Sequence, residues 1–150
     1  MRNIRSALLS LLTAAALVAS TGLVGAAPAS AMTTREARLI AKINTARANH
    51  GLPALRTSPE LMAAARSHTV AMSDSRTLFH TASFETLCCW SSVGENIARG
   101  YTVRGVHRAL MHSAPHRANI LNRRMRQVGV GVVSAGGQLW VTEVFRQPAR

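Results

Sequence analysis

Acid is scarce in this chain, lysine nearly missing, and cysteine confined to one place. Against 18 basic residues there are only 6 acidic ones over 150 residues, a formal net charge of +12, and Lys42 is the one lysine. With so few carboxylates, each needs a structural or chemical reason to be there. The two cysteines, Cys88 and Cys89, are neighbours, which excludes a framework of disulfides stapling distant segments together. Across a trans peptide their Cα atoms lie ~3.8 Å apart, closer than an ordinary disulfide allows. A strained vicinal disulfide, an intermolecular bridge and two buried thiols beside Trp90 all stay open, and the pair lacks the spacing of a metal site. Nor is there a His-Glu-x-x-His helix or a Gly-x-Ser-x-Gly turn, and the lone aspartate, Asp74, has no assigned histidine. Covalent catalysis of the Ser-His-Asp kind has nothing to rest on. Past the first residues, no segment is apolar enough to cross a bilayer.

The one long apolar run, Ala7 to Ala27, follows Arg2 and Arg5 and ends in Pro28-Ala29-Ser30-Ala31. A positive flank, an apolar middle and small residues before a cleavage point are the order of a secretory signal peptide. Residues 1–31 are therefore expected to be removed after Ala31, and the run's Ala, Ser and Thr content weighs against an uncleaved anchor. The remainder, residues 32–150, has the size of one domain, expected to be a secreted monomer with no transmembrane anchor after cleavage. Losing Arg2 and Arg5 lowers the net charge from +12 to +10. Arginine suits bidentate contact with phosphate and carboxylate, and outside the cytoplasm the available anions are envelope lipids and acidic polymers. Anionic cell-envelope components are thus expected partners and nucleic acid is not. The only dense run is Arg123, Arg124 and Arg126, so scattered solubilising charge explains the composition as well.

Thr33 with Glu36 makes a capping box, Leu39, Ile40, Ile43 and Ala46 make a helical stripe, and Gly51 and Pro53 end that helix. A second helix opens with Ser58 and Pro59, carries Leu61, Met62, Ala65, Thr69 and Met72 inward, and frays near Asp74. From Ser75 to Ser92 periodicity is lost, so a loop with at most a short strand is expected. Thr102 caps a third helix with Val103, Val106 and Leu110 inward, ending before Pro115, which opens a short turn through Leu121. Then Val128, Val130 and Val132 alternate with Gly129 and Gly131, a turn falls at Ala135-Gly136-Gly137, and Gln138 to Phe145 reads as a second strand. Helices first and strands last favour an α+β fold, with helices on a short antiparallel sheet.

Of the carboxylates, Glu95 stands out because it lies between apolar residues in Val93-Gly94-Glu95-Asn96-Ile97-Ala98, after a glycine that lets backbone approach. Glu143 shares a strand face with Leu139, Val141 and Phe145, so it either needs a partner or is an edge-strand charge opposing sheet aggregation. His68 reads as a satisfied core or boundary histidine. His112 and His116 are four apart, but Pro115 breaks the helix that would pair them on one face. His80 follows Phe79 in the loop.

In order, Phe79-His80, Gly94-Glu95-Asn96-Ile97-Ala98, Ser113-x-x-His116-Arg117-x-Asn119-Ile120-Leu121 and Gly129-Val130-Gly131-Val132 resemble the CAP superfamily of SCP-like extracellular domains, in its bacterial form. The likeness starts near Ile43-Asn44-x-x-Arg47, takes in Ala65-Arg66-x-His68, and ends with Trp140-Val141-Thr142 and Phe145. It implies a three-layer α-β-α sandwich whose cleft gathers histidines and acids, with His80, His116 and Glu95 matching its side chains. Glu143, where many relatives carry glutamine, is taken as a further cleft carboxylate. Two imidazoles and a carboxylate suit a divalent ion such as Zn2+, with His80 and His116 as the metal ligands. Where the bacterial pattern has Ser-Pro-Gly-His, this chain has Ser113-Ala114-Pro115-His116, which bears on ligand geometry.

What the resemblance implies first is a binding module whose cleft holds a divalent metal, a small amphiphilic or lipid ligand, or an envelope component. An alternative is a metal-dependent hydrolase, a peptidase or esterase, with Glu95 as general base. A third is cationic adhesion to anionic cell-envelope polymers.

Overall fold

A computed structural model describes residues 31–149; apart from Ala31, the expected signal peptide lies outside the described residues. The capping box forms: the Thr33 hydroxyl accepts the Glu36 N–H at 3.2 Å and the Glu36 carboxylate accepts the Thr33 N–H at 2.7 Å, opening α1 (Thr34–Asn49). Glu36 does more than cap. It also accepts the Arg66 guanidinium at 2.7 Å, fastening α1 to α2 (Pro59–Ser75). Burial alone would raise this carboxyl's pKa, but the bonds from Arg66 and Thr33 outweigh it and hold it below the usual range. Ser58 caps α2, which runs through Asp74 and stops at Arg76 in the left-handed conformation, φ 54°.

Between the first two helices lies β1 (Arg56–Thr57), and after α2 an irregular stretch leads to β2 (Trp90–Gly100). Then come α3 (Val103–His112) and α4 (Ala114–Ile120), followed by β3 (Gln127–Ala135) and β4 (Gln138–Pro148). The sheet order is β1-β3-β4-β2. β3 and β4 form the expected hairpin, closed at Ala135 and Gln138, with Gly136 and Gly137 at φ 59° and 73°, a region glycine enters without penalty. The α+β expectation holds, with one addition: β1 pairs parallel to β3, so the four-stranded sheet is mixed.

Strand β2 is a larger departure, because periodicity led only to a loop before it and no element within it. Its Ser, Gly, Glu and Asn content carries little intrinsic strand preference. Antiparallel pairing with β4, Glu95 opposite Val144 and Asn96 opposite Glu143, makes it a strand.

Alternation along β4 sorts the two faces of the sheet. Leu139, Val141 and Phe145 join Leu39 and Ile43 of α1, Val106 and Leu110 of α3 and Ile120 of α4 in the main core. Val144 packs on Leu61 and Ala65 of α2, and Thr142 accepts the Thr69 hydroxyl. Helix α2 sits directly on strand backbone: a Cβ on Gly129 would fall 2.1 Å from the Leu61 carbonyl carbon, and one on Gly131 2.4 Å from the Ala65 oxygen. The three layers are α2, the sheet, and α1 with α3 and α4. Among the described residues no helix is long and apolar enough to cross a membrane.

The irregular connections are tied by Arg47, whose side chain is fully buried. Its guanidinium donates to the carbonyls of Pro53 at 3.0 Å, Ile120 at 2.8 Å, Asn122 at 3.0 Å and Met125 at 3.4 Å.

Candidate functional site

Strand β2 places Glu95 on the face that α2 covers, and the loop after α2 wraps over its carboxylate. One oxygen accepts His80 Nδ1 at 2.7 Å and the Thr81 N–H at 2.9 Å; the other accepts the Thr81 hydroxyl at 2.6 Å. His68 Nε2, from α2, stands 3.8 Å from that second oxygen and donates to the Phe79 carbonyl at 2.7 Å. Its ring meets Phe79 edge-on, centroids 5.0 Å apart. An ionised carboxylate only accepts, so Nδ1 of His80 carries the hydrogen, and Nε2 holds a lone pair whenever the ring is neutral. The His80 side chain is 60% exposed while that of Glu95 is 3% exposed, so a buried anion aims an accessible imidazole.

His116 reaches the same neighbourhood from α4. Burial, and then the charge of His80, hold its pKa below the ordinary histidine value, favouring the neutral ring. Its Nδ1 shares a hydrogen bond with the Ser113 hydroxyl at 2.7 Å, and Nε2 matches that of His80 in the tautomer whose Nδ1 donates to that hydroxyl. Two asparagines lock α4 to β2: Asn119 donates to the Glu95 carbonyl at 3.1 Å and to Asn96 Oδ1 at 2.9 Å, and Asn96 donates to the His116 carbonyl at 3.1 Å. Gly94 makes room for this, since a Cβ there would lie 2.8 Å from Asn119 Oδ1. The close approach is made by the side-chain amide of Asn119 rather than by another segment's backbone.

Glu143 goes elsewhere. Strand β4 is flanked on both sides by β3 and β2, so the edge-charge reading of Glu143 is corrected: the residue is central and fully buried. It faces away from Glu95, because Asn96, one residue on, is its cross-strand partner and donates to Oε2 at 3.0 Å. Oε1 is buried without a partner. Desolvation drives this carboxyl up to about 7, against a smaller lowering from Asn96.

The remaining candidates resolve simply. The helix breaks at Ser113, and His112 bonds back to the Arg108 carbonyl, so it forms no pair with His116. Cys88 and Cys89 are joined in a vicinal disulfide with Cα atoms 3.7 Å apart, and both are exposed. His68, Thr81, Asn96 and Asn119 are the members of the site that residue chemistry missed. Three of them sat inside the quoted motifs, and Thr81 directly follows His80.

Beside Glu95, a cavity of about 290 Å³ opens between α2 and the loop. Ala64, Ala71, Phe84, Leu87 and Val144 supply its apolar lining, and Ser67, His68, Thr81, Ser83 and Thr86 line it with polar groups. For a metal, the open donors are the two Nε2 atoms. Among the described residues no group of three or more His, Cys, Asp or Glu side chains is arranged to hold an ion, which falls short of the three protein ligands of a catalytic zinc site.

Residues 40–145 match the model of the Cysteine-rich secretory protein family, CAP. An uncharacterised Bacillus subtilis protein, YkwD, is 30% identical over 124 residues, covering 76% of this chain and 48% of the relative; the chain thus spans about half that relative's length. An outer surface protein of Borrelia burgdorferi superposes with a TM-score of 0.70 at 18% identity, over 79% of this chain and 96% of the other. An extracellular SCP-domain protein of Bacillus anthracis gives 0.64 at 24% identity, over 75% and 40%. At these identities the two structures speak for the fold.

Proposed function

Because the chain belongs to the Cysteine-rich secretory protein (CAP) family, we propose that it acts outside the cytoplasm as a binding module, with a small amphiphile held beside Glu95. The observation that carries this reading is the cavity between α2 and the loop, which pairs an apolar surface from Ala64, Ala71, Phe84, Leu87 and Val144 with hydroxyls and His68 beside the Glu95 network. Such a hollow offers an alkyl or ring portion a dry surface and a hydroxyl or amide head fixed partners. Zn2+ is a secondary ligand in this reading: it would be held by His80 and His116 through Nε2, with water completing its shell. A hydrolase reading has less support. Glu95 would have to take a proton from water, yet its side chain is 3% exposed and already accepts three hydrogen bonds.

A neutral monoacylglycerol is a suitable probe, since it avoids attraction to the basic surface. In isothermal titration it should bind the protein, and Ala71→Trp, at the exposed rim of the cavity, should weaken binding at least about tenfold with the circular dichroism unchanged. Equal binding by that variant would overturn the reading. Zinc titration of His80→Ala and His116→Ala tests the metal separately, and uptake that survives both changes removes those histidines as its ligands.

A further inference from the structure

On the far side of the sheet from Glu95, three cations share one hollow. Arg38 and Lys42 are four residues apart and so project from one face of α1; Arg104 stands in the first turn of α3. Together with Thr45 and Thr102 they line an open cavity of about 570 Å³ between the two helices. No ion pair among the described residues involves them. Every acid is placed elsewhere: Glu36 on Arg66, Glu60 on Arg146, Glu95 with His80, Glu143 on Asn96, Asp74 in a different cavity beside Arg76, and Glu85 in the loop ahead of Cys88.

Three like charges facing one space repel one another unless something answers them. Lys42 is half-buried rather than free in solvent. Its charge is felt nearby: His107, one turn along α3 from Arg104, is pushed below the ordinary histidine range by burial and by Lys42. The start of α3 deepens the imbalance, because its first turn carries no acid, although that end of a helix favours negative charge. Two arginine forks and a compact ammonium suit the non-bridging oxygens of a phosphate, which arginine binds bidentately, better than they suit a single carboxylate. The Thr102 hydroxyl accepts the Gly105 N–H at 3.0 Å and keeps its own hydrogen to donate.

We propose that the groove between α1 and α3 is an oxyanion site that takes a phosphoryl group, carried by a soluble phosphate or by the headgroup of an anionic phospholipid. This stands apart from the amphiphile cavity, so either can fail alone.

The test runs in two arms near physiological salt. Amide NMR shifts are followed during titration with inorganic pyrophosphate, and co-sedimentation is measured with phosphatidylcholine vesicles that contain or lack phosphatidylglycerol. Wild type, Lys42→Gln/Arg104→Gln, Arg38→Gln and a charge-matched control, Arg123→Gln/Arg124→Gln, are compared. Pyrophosphate should move the amides of Lys42, Thr102 and Arg104. The groove double variant should bind at least about tenfold more weakly, Arg38→Gln should weaken binding in the same direction, and the control should stay within about twofold. Groove-dependent retention on phosphatidylglycerol vesicles without a pyrophosphate response also supports the site and assigns the phosphoryl group to a headgroup. Equal weakening in the control, or no anion binding in either arm, overturns it.

Discussion

Glu143 concentrates the residue-scale question, since it is a carboxyl in the middle of the sheet with one donor and one unpartnered oxygen. Folded, it titrates at about 7 against 4.5 for the ordinary group. Between those values the fold holds a proton that the unfolded chain has released, so the stability cost of Glu143 grows as pH rises through that window and levels off above it. Glu143→Gln should therefore gain stability over wild type by about 3 kcal/mol between pH 4.5 and pH 8, read as the difference in urea unfolding free energies. Arg47 is the opposite case, a buried charge with four of its five N–H groups bonded to carbonyls. Arg47→Lys cannot span four carbonyls with one ammonium and should lower unfolding free energy by about 3 kcal/mol. Residue chemistry picked out Glu95, because carboxylates are scarce, whereas His80 and His116 were named only through the family resemblance, histidine spacing alone giving no pair. It misplaced Glu143, since whether a strand is central or at an edge depends on β2, which no local pattern announced. It left His68 and Thr81 aside because their relation to Glu95 exists only once the loop folds back over α2.

At the scale of elements, helix starts were the most legible features: Thr33, Ser58 and Thr102 all cap as read, because a cap is settled within four residues. The β3 and β4 hairpin was legible for the same local reason. The contact of α2 on β3 was hidden, although its signature was printed in the glycines of Gly129-Val130-Gly131. Gly131→Ala puts a methyl into the Ala65 carbonyl at 2.4 Å, a backbone atom that cannot rotate away. A loss of about 3 kcal/mol is expected, toward the upper end for overpacking, whereas Gly136→Ala meets nothing within 4 Å and suffers only its φ of 59°. Urea midpoints of the two variants compare the mechanisms directly.

For the whole molecule, the formal charge of +12 sets a repulsion that no single residue owns. Raising sodium chloride from about 0.02 to 0.2 M should increase unfolding free energy by about 1 kcal/mol, as screening shortens the reach of each arginine. A fall with salt would mean that the few ion pairs, Glu36 with Arg66 above all, outweigh the surplus. The α+β class followed from helices preceding strands. The mixed character of the sheet did not, because β1 is two residues long and owes its existence to Val128 and its neighbours across the fold.

Strand β4 is the last element of the domain to be synthesised, and it lies between β2 and β3 in the sheet. A nascent chain emerging from the ribosome therefore has only β3, paired with the two-residue β1, to build on until residues 138–148 are out. Up to that moment β2 lacks its partner, Glu95 sits on an unpaired strand, and α2 has no completed surface to rest on. The order of synthesis thus leaves the sheet unfinished until this strand is made, and its completion waits on residues 138–148.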